Sequence, residues 1–318
     1  MHASLAALVL AATMTSLLGC GRSDSAFALS DDAAIDDAGV ADVYSDRMPD
    51  TTIDATSDAR DAGGDAVNDA TLDASADASA PDVTVDAAPD AAPCPGTAGP
   101  TAVRVGTYCI DTTEVTNAHY TQFLAVDAGA LPSPPAACAG HTSYVPSSAT
   151  WPPVAGHDDD PVRVDWCDAY VYCAWAGKRL CGAIGGGATP FASYADSSSS
   201  AWFAACSNAG VLAFPYGATY DVAACNGKDY PGGIALRAVG ALATCAGGTS
   251  SALRDMSGNL YEWEDSCDAN VGAFDSCRIR GGGYLTPGSL NLSCAGSGVA
   301  IPRGSATFVD VGFRCCGP

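Results

Sequence analysis

Asp255-Met256-Ser257-Gly258-Asn259-Leu260-Tyr261-Glu262-Trp263 sets two carboxylates seven residues apart around a Gly-Asn pair. Glycine takes positive φ without steric cost and asparagine tolerates it, so Gly258-Asn259 reads as a turn. Side-chain and backbone oxygens of such a turn can converge on a hard cation such as Ca²⁺. On the residues alone the plainer reading is a turn with Trp263 in the core beneath it.

Outward from this stretch lies a body rich in Cys, Trp and Gly. Residues 94–318 hold all five Trp and 14 of the 15 Cys of the 318-residue chain. The segment before them has the opposite character. Between Gly21 and Pro93 there are 18 Asp, no Glu and three Arg, so it carries 18 − 3 = 15 of the 22 net negative charges. From Asp54 to Asp77 the Asp recur at every third or fourth position, where carboxylates on one helical face would repel each other. No apolar face accompanies them, which predicts a disordered, self-repelling stalk over 20–93 and one folded domain over 94–318. No basic stripe exists to neutralise phosphates, and this excludes a nucleic-acid partner. So many Cys in one domain imply an oxidising compartment.

The first nineteen residues read as an export signal. The apolar run from His2 to Leu18 is short for a membrane span and ends in Leu17-Leu18-Gly19-Cys20. That ending resembles the bacterial lipobox, which implies cleavage before Cys20 and a membrane anchor through a lipid on its thiol. Gly21 after the Cys points to the outer membrane of a bacterial cell envelope. With Cys20 lipidated, 14 Cys remain, enough for seven disulfides whose connectivity the sequence does not give.

Two amphipathic helices are expected. Thr116 N-caps the first, with Tyr120, Phe123 and Leu124 on one face and Gly129 ending it. Asp165 caps the second, with Ala169, Tyr170, Cys173 and Ala174 on one face and Gly177 closing it. The rest is punctuated by Gly, Ser and Pro, with short apolar segments such as Phe308 to Phe313. The fold class is α+β with low regular content, stapled by disulfides.

Catalytic motifs are sparse. His119, His141 and His157 have no metal-motif spacing, no Cys-x-x-Cys occurs, and there is neither a Gly-x-Ser-x-Gly elbow nor a phosphate loop. Gly185-Gly186-Gly187 reads as a turn and Asp158-Asp159-Asp160 as a solvated acidic loop.

Five ordered blocks nevertheless resemble the formylglycine-generating enzyme, or sulfatase-modifying factor, family. They are Tyr108-Cys109-Ile110-Asp111-Thr112-Thr113-Glu114-Val115-Thr116-Asn117 with Tyr120 and Phe123; Pro161-Val162-Arg163-Val164-Asp165-Trp166-Cys167-Asp168-Ala169 leading into Tyr172 through Leu180; the 255–263 stretch; Arg278-Ile279-Arg280-Gly281-Gly282-Gly283; and Gly312-Phe313-Arg314-Cys315. The resemblance spans about residues 104 to 316 and implies a C-type-lectin-like α+β fold. It also implies Ca²⁺ held by Asp255, the backbone carbonyls of Gly258 and Leu260, and Glu262, with a second calcium site beginning at Asn226. It suggests that Cys173 pairs with Cys315, and that Cys294 pairs with Cys206 or Cys181.

The oxidase chemistry of that family uses two Cys, four residues apart, that bind copper(I) as thiolates. Thr286 and Asn291 stand at those positions here, and Gly283 stands where the family has a Ser. Neither Thr nor Asn supplies a thiolate, so copper is not expected. The leading expectation is a non-catalytic, calcium-stabilised binding or scaffold module with a protein or glycan ligand. The alternative is an oxidoreductase of the sulfatase-modifying type, or a related oxidative tailoring enzyme, with a diverged site. Asp111, Glu114, Lys178 and Arg179 lie in signature blocks and read equally well as structural partners.

Overall fold

A four-residue strand in which every side chain is buried, β2 (Tyr108–Asp111), anchors the first sheet. It pairs antiparallel with β1 (Ala102–Val105) on one side and with the C-terminal strand on the other. The computed structural model describes residues 93–148, 150–305 and 310–318. The signal segment, Cys20 and the Asp-rich stalk to residue 92 lie outside the described residues, as do Phe308 and Val309.

In chain order the elements that follow are α1 (Asn117–Leu124), α2 (Trp166–Trp175), β3 (Arg179–Leu180), α3 (Ala201–Cys206), β4 (Ala246–Gly247), β5 (Ser250–Arg254), β6 (Tyr261–Cys267), β7 (Ser276–Arg280), β8 (Ala300–Pro302), β9 (Val311–Gly312) and β10 (Cys315–Gly317). One sheet runs β1-β2-β10-β3, a second runs β8-β7-β6-β9, and β4-β5 forms a separate pair. The β6-β9 contact is the parallel one, while β7 is antiparallel to both β6 and β8. Among the described residues no helix is long and apolar enough to cross a membrane.

Both helices begin at their capping side chains. Thr116 Oγ1 accepts from His119 N at 3.2 Å while His119 Nδ1 accepts from Thr116 N at 3.4 Å, a reciprocal capping box. Asp165 and Asp168 form the same box at the start of α2. The C-terminus of α1 differs from expectation. It stops at Leu124, and Gly129 belongs to a separate 3₁₀ turn, Ala128–Ala130, begun after Asp127. The buried face of α2 also differs: Ala169, Tyr172, Cys173 and Ala176 are fully buried, whereas Tyr170 and Ala174 are half-buried. Tyr170 turns instead toward Trp166, one helical turn earlier, with their rings stacked at 5.0 Å. Gly177 closes the helix at φ +72°, a conformation that excludes most side chains.

Two hydrophobic clusters fill the body. One packs Tyr120, Phe123, Tyr172, Trp263 and Phe313, and the other packs Tyr108, Ile110, Trp202, Leu253 and Met256. Adjacent residues of a strand point to opposite faces. Cys315 and Cys316 on β10 therefore reach different clusters: Cys315 bonds Cys173 of α2 in the first, and Cys316 bonds Cys181 in the second. Cys294 bonds Cys206.

Candidate functional site

The 255–263 stretch forms a tight turn leading into β6. Asp255 and Asn259 adopt φ of +55° and +63°, and Gly258 has φ +78°. Gly258 runs beside Asn226, so closely that a Cβ there would lie 2.6 Å from the Asn226 carbonyl oxygen. Asn226 Nδ2 donates to Asn259 Oδ1 at 3.0 Å and to the Ala235 carbonyl at 2.9 Å, while its own Oδ1 is buried without a partner.

Strand alternation sends Glu262 to one face of β6 and Tyr261 and Trp263 to the other, and beyond Trp263 the pairing with β7 shifts register. Glu262 meets Arg314, whose Nη2 and Nε donate to its two oxygens at 2.7 Å each, and Trp202 Nε1 adds a bond at 2.8 Å. Glu114 accepts from Asn259 Nδ2 and Leu260 N at 3.0 and 3.1 Å. Asp255 Oδ2 accepts from Gly240 N at 2.6 Å. All three carboxylates and the guanidinium are buried.

Burial holds the Glu114 carboxyl well above its usual range, and the charges of Asp255 and Glu262 push it the same way. Burial likewise raises Asp255 to about 6, against the lowering effects of Gly240 N–H and Arg314. Three carboxylates face one guanidinium, so the fully ionised cluster has a surplus of two negative charges. A divalent cation fits that surplus, and the oxygen donors are of the hard type that Ca²⁺ takes. Glu262 is the constrained member, because Arg314 and Trp202 already occupy three of its roughly four acceptor positions.

Thr286 and Asn291 meet at a different feature. Both lie beside Tyr261, at the start of β6. Thr286 Oγ1 accepts from Gly283 N at 2.9 Å, and Asn291 Oδ1 accepts from Ser297 N at 3.2 Å and from its hydroxyl. They border an open cleft of about 290 Å³ shared with Ile279, Leu285 and Asp310. A Cβ on Gly283 would lie 3.1 Å from Asp310 Oδ2, a tight contact in which the carboxylate would have to shift slightly. Trp202 and Arg314 are residues around Glu262 that sequence reasoning left without a role. Arg314 stands inside the quoted Gly-Phe-Arg-Cys block, but its partner is 52 positions earlier.

All fourteen Cys from Cys94 to Cys316 are in seven disulfides, so the described residues hold no thiol. One cluster, His141, Asp165 and Cys167, brings ligand-type atoms within 4.8 Å of one another, but the sulfur is spent in the Cys138–Cys167 bond. His141 itself lies between Asp168 Oδ1, 2.8 Å from Nε2, and Asp165 Oδ2, 3.4 Å from Nδ1. Asp111 is paired with Lys178 at 2.6 Å, both buried, as a structural bridge.

The family model described as "Sulfatase-modifying factor enzyme 1-like domain" matches residues 82–317. Among solved structures, the chain is similar to CarF, at 17% identity over 70% of this chain and 95% of that one, with a TM-score of 0.42. It is also similar to PvdO from Pseudomonas aeruginosa, at 19% identity over 66% of this chain and 79% of that one, with a TM-score of 0.43. No curated protein matches the chain.

Proposed function

The chain belongs to the sulfatase-modifying factor enzyme 1-like family, and from that premise we propose that it is a non-catalytic binding or scaffold module of the bacterial cell envelope. Its fold is the C-type-lectin-like α+β arrangement of the family. The observation that carries the proposal is the state of the cysteines. Copper(I) oxidase chemistry needs soft thiolate ligands, and every cysteine of the described residues is held in a disulfide. The two positions that the order of the motif blocks sets against the family's redox Cys carry Thr286 and Asn291, whose side chains accept from Gly283 N and Ser297 N and supply no thiolate.

In this reading residues 94–318 are the displayed domain, 20–93 the stalk, and Cys20 the lipid-bearing residue after removal of 1–19, with the outer membrane as the site of attachment. Calcium is the structural ion. Asp255 and the carbonyls of Gly258 and Leu260 would hold it, with Glu262 contributing the one acceptor position that Arg314 and Trp202 leave. The ion would supply charge compensation for the buried carboxylates. The unpartnered Asn226 Oδ1 supports a second oxygen-ligand position beside the same turn.

The test is elemental analysis of the full chain after copper(I) loading and after dialysis into calcium, with peptide-level counting of thiols among Cys94–Cys316. Calcium at one or two per chain, no retained copper and no free thiol are the expected results. Stoichiometric copper together with a free thiol pair would replace this reading with the oxidoreductase one. A chelator should lower the melting temperature of the wild type, and Asp255→Ala should remove most of that difference. An unchanged melting temperature in chelator would eliminate the metal at this turn.

A further inference from the structure

Near the C-terminal end of β6, sharing no lining residue with the Thr286–Asn291 cleft, lies a second concavity of about 460 Å³. Its walls are Trp166 and Tyr170 from α2, Asp265 and Cys267 from β6, Asn270 from the loop after β6, and Arg303 just after β8. Its size falls within the range of small-molecule sites, roughly 300–1,000 Å³.

The aromatic wall is fixed in place. Trp166 and Tyr170 are one helical turn apart with rings stacked at 5.0 Å. Trp166 is anchored by its Nε1–H to the Glu264 carbonyl at 3.1 Å, and the Arg303 guanidinium covers it at 4.5 Å from the ring centre. Tyr170 remains half-buried, with part of its ring open to the concavity.

The polar groups are incompletely used. Asp265 accepts no side-chain hydrogen bond from the described residues; burial raises its carboxyl to about 6, with the charge of Glu264 adding to this and those of Arg303 and Arg179 opposing it. Arg303 is 1% exposed; its Nη atoms bond Asp275, Ala269 and Asn270, but its Nε–H has no partner. Asp265 is half-buried and lines the concavity without a side-chain partner, so a ligand that donates to it gains a hydrogen bond. The guanidinium charges of Arg303 and Arg179 act on Asp265 and offset its own, which favours a neutral donor over a cation. A hydroxyl is a neutral group that donates to a carboxylate and also accepts from an amide such as that of the exposed Asn270. A ligand bearing several hydroxyls and one apolar C–H face would match the tyrosine ring as well.

We propose that this concavity binds a neutral saccharide, with its ring against Tyr170 and its hydroxyls on Asp265 and Asn270. The assignment rests on the binding-module reading above and names its ligand class. The two can fail separately, because copper and thiol counts address the module reading and sugar binding addresses this concavity.

Saturation-transfer NMR on the full chain with maltose, cellobiose, lactose and N,N′-diacetylchitobiose tests it. At least one sugar should receive saturation, and Tyr170→Ala and Asp265→Asn should each weaken its binding about tenfold. Tyr170→Phe, which keeps the ring, should retain it. Should Asp265→Asn fail to fold, Tyr170→Ala at its half-buried position carries the comparison. Gel retardation by soluble starch, hydroxyethyl cellulose and glycol chitin separates a glycan chain from a free sugar as the source. No transfer to any of the four sugars, or binding unchanged in Tyr170→Ala, overturns the proposal.

Discussion

Glu262 shows how one residue type supports two readings. A carboxylate after a Gly-Asn turn suggests a metal ligand, yet here a guanidinium already grips it through two bonds of 2.7 Å. Removing one partner of a buried pair is costly because the other charge stays buried and uncompensated. Arg314→Met should therefore destabilise the fold by about 3–5 kcal/mol in urea denaturation, and adding Glu262→Gln should recover much of that loss. If the single variant loses less than the double, the pair is not the stabilising contact. The chemical type of Asp255 and Glu262 was legible in the sequence. Which groups complete their surroundings was not, since Glu114 reaches the turn across 146 positions and Arg314 across 52.

Helix starts were legible because a cap is local: Thr116 and Asp165 each act on a backbone N–H three residues away. Thr116→Ala should cost about 1 kcal/mol, measured as a shift in denaturation midpoint. Helix ends and buried faces were less legible. No local signal separates Ala125 from Gly129 as the stop, and Tyr170 was placed on the core face because periodicity does not register which neighbour covers that side. The start of α2 carries a pH-sensitive latch as well. The hydrogen bond to Asp168 raises the pKa of His141 above its ordinary value near 6.5, with burial opposing and the Asp165 charge reinforcing. A histidine whose folded pKa exceeds its unfolded one contributes stability that is complete below the unfolded value and lost as pH rises through the folded one. Melting temperature should accordingly fall on the alkaline side of pH 6.5, and His141→Gln should flatten that part of the profile relative to wild type. An identical slope in the variant would locate the titration elsewhere.

For the molecule as a whole, the disulfides weigh differently. Cys173–Cys315 closes a separation of 142 residues, whereas Cys267–Cys277 closes only 10. If chain entropy dominates, replacing the first pair by Ala should cost about 4–5 kcal/mol and replacing the second about 3 kcal/mol. Chemical denaturation of the two double variants gives the order directly, and a larger loss at the short loop would assign the stabilisation to native contacts instead. Reduction of the intact chain should release both hydrophobic clusters from β10 together, because Cys315 and Cys316 tie the same strand to each.

Composition alone separated the acidic segment from the Cys-rich body, and ordered motif blocks were enough to identify the family and its α+β fold. Both are properties of residue type and local order, which the chain states without folding. Even parity allowed seven disulfides, but their pairing required the fold, because it depends on which strand face each Cβ occupies. The Glu262–Arg314 pair, the cleft that Thr286 and Asn291 share with Tyr261, and the concavity beside Tyr170 all join residues distant in sequence. Such contacts are set by how β6 is flanked by α2, α3 and the C-terminal strands, and burial then decides which carboxylates keep their charge.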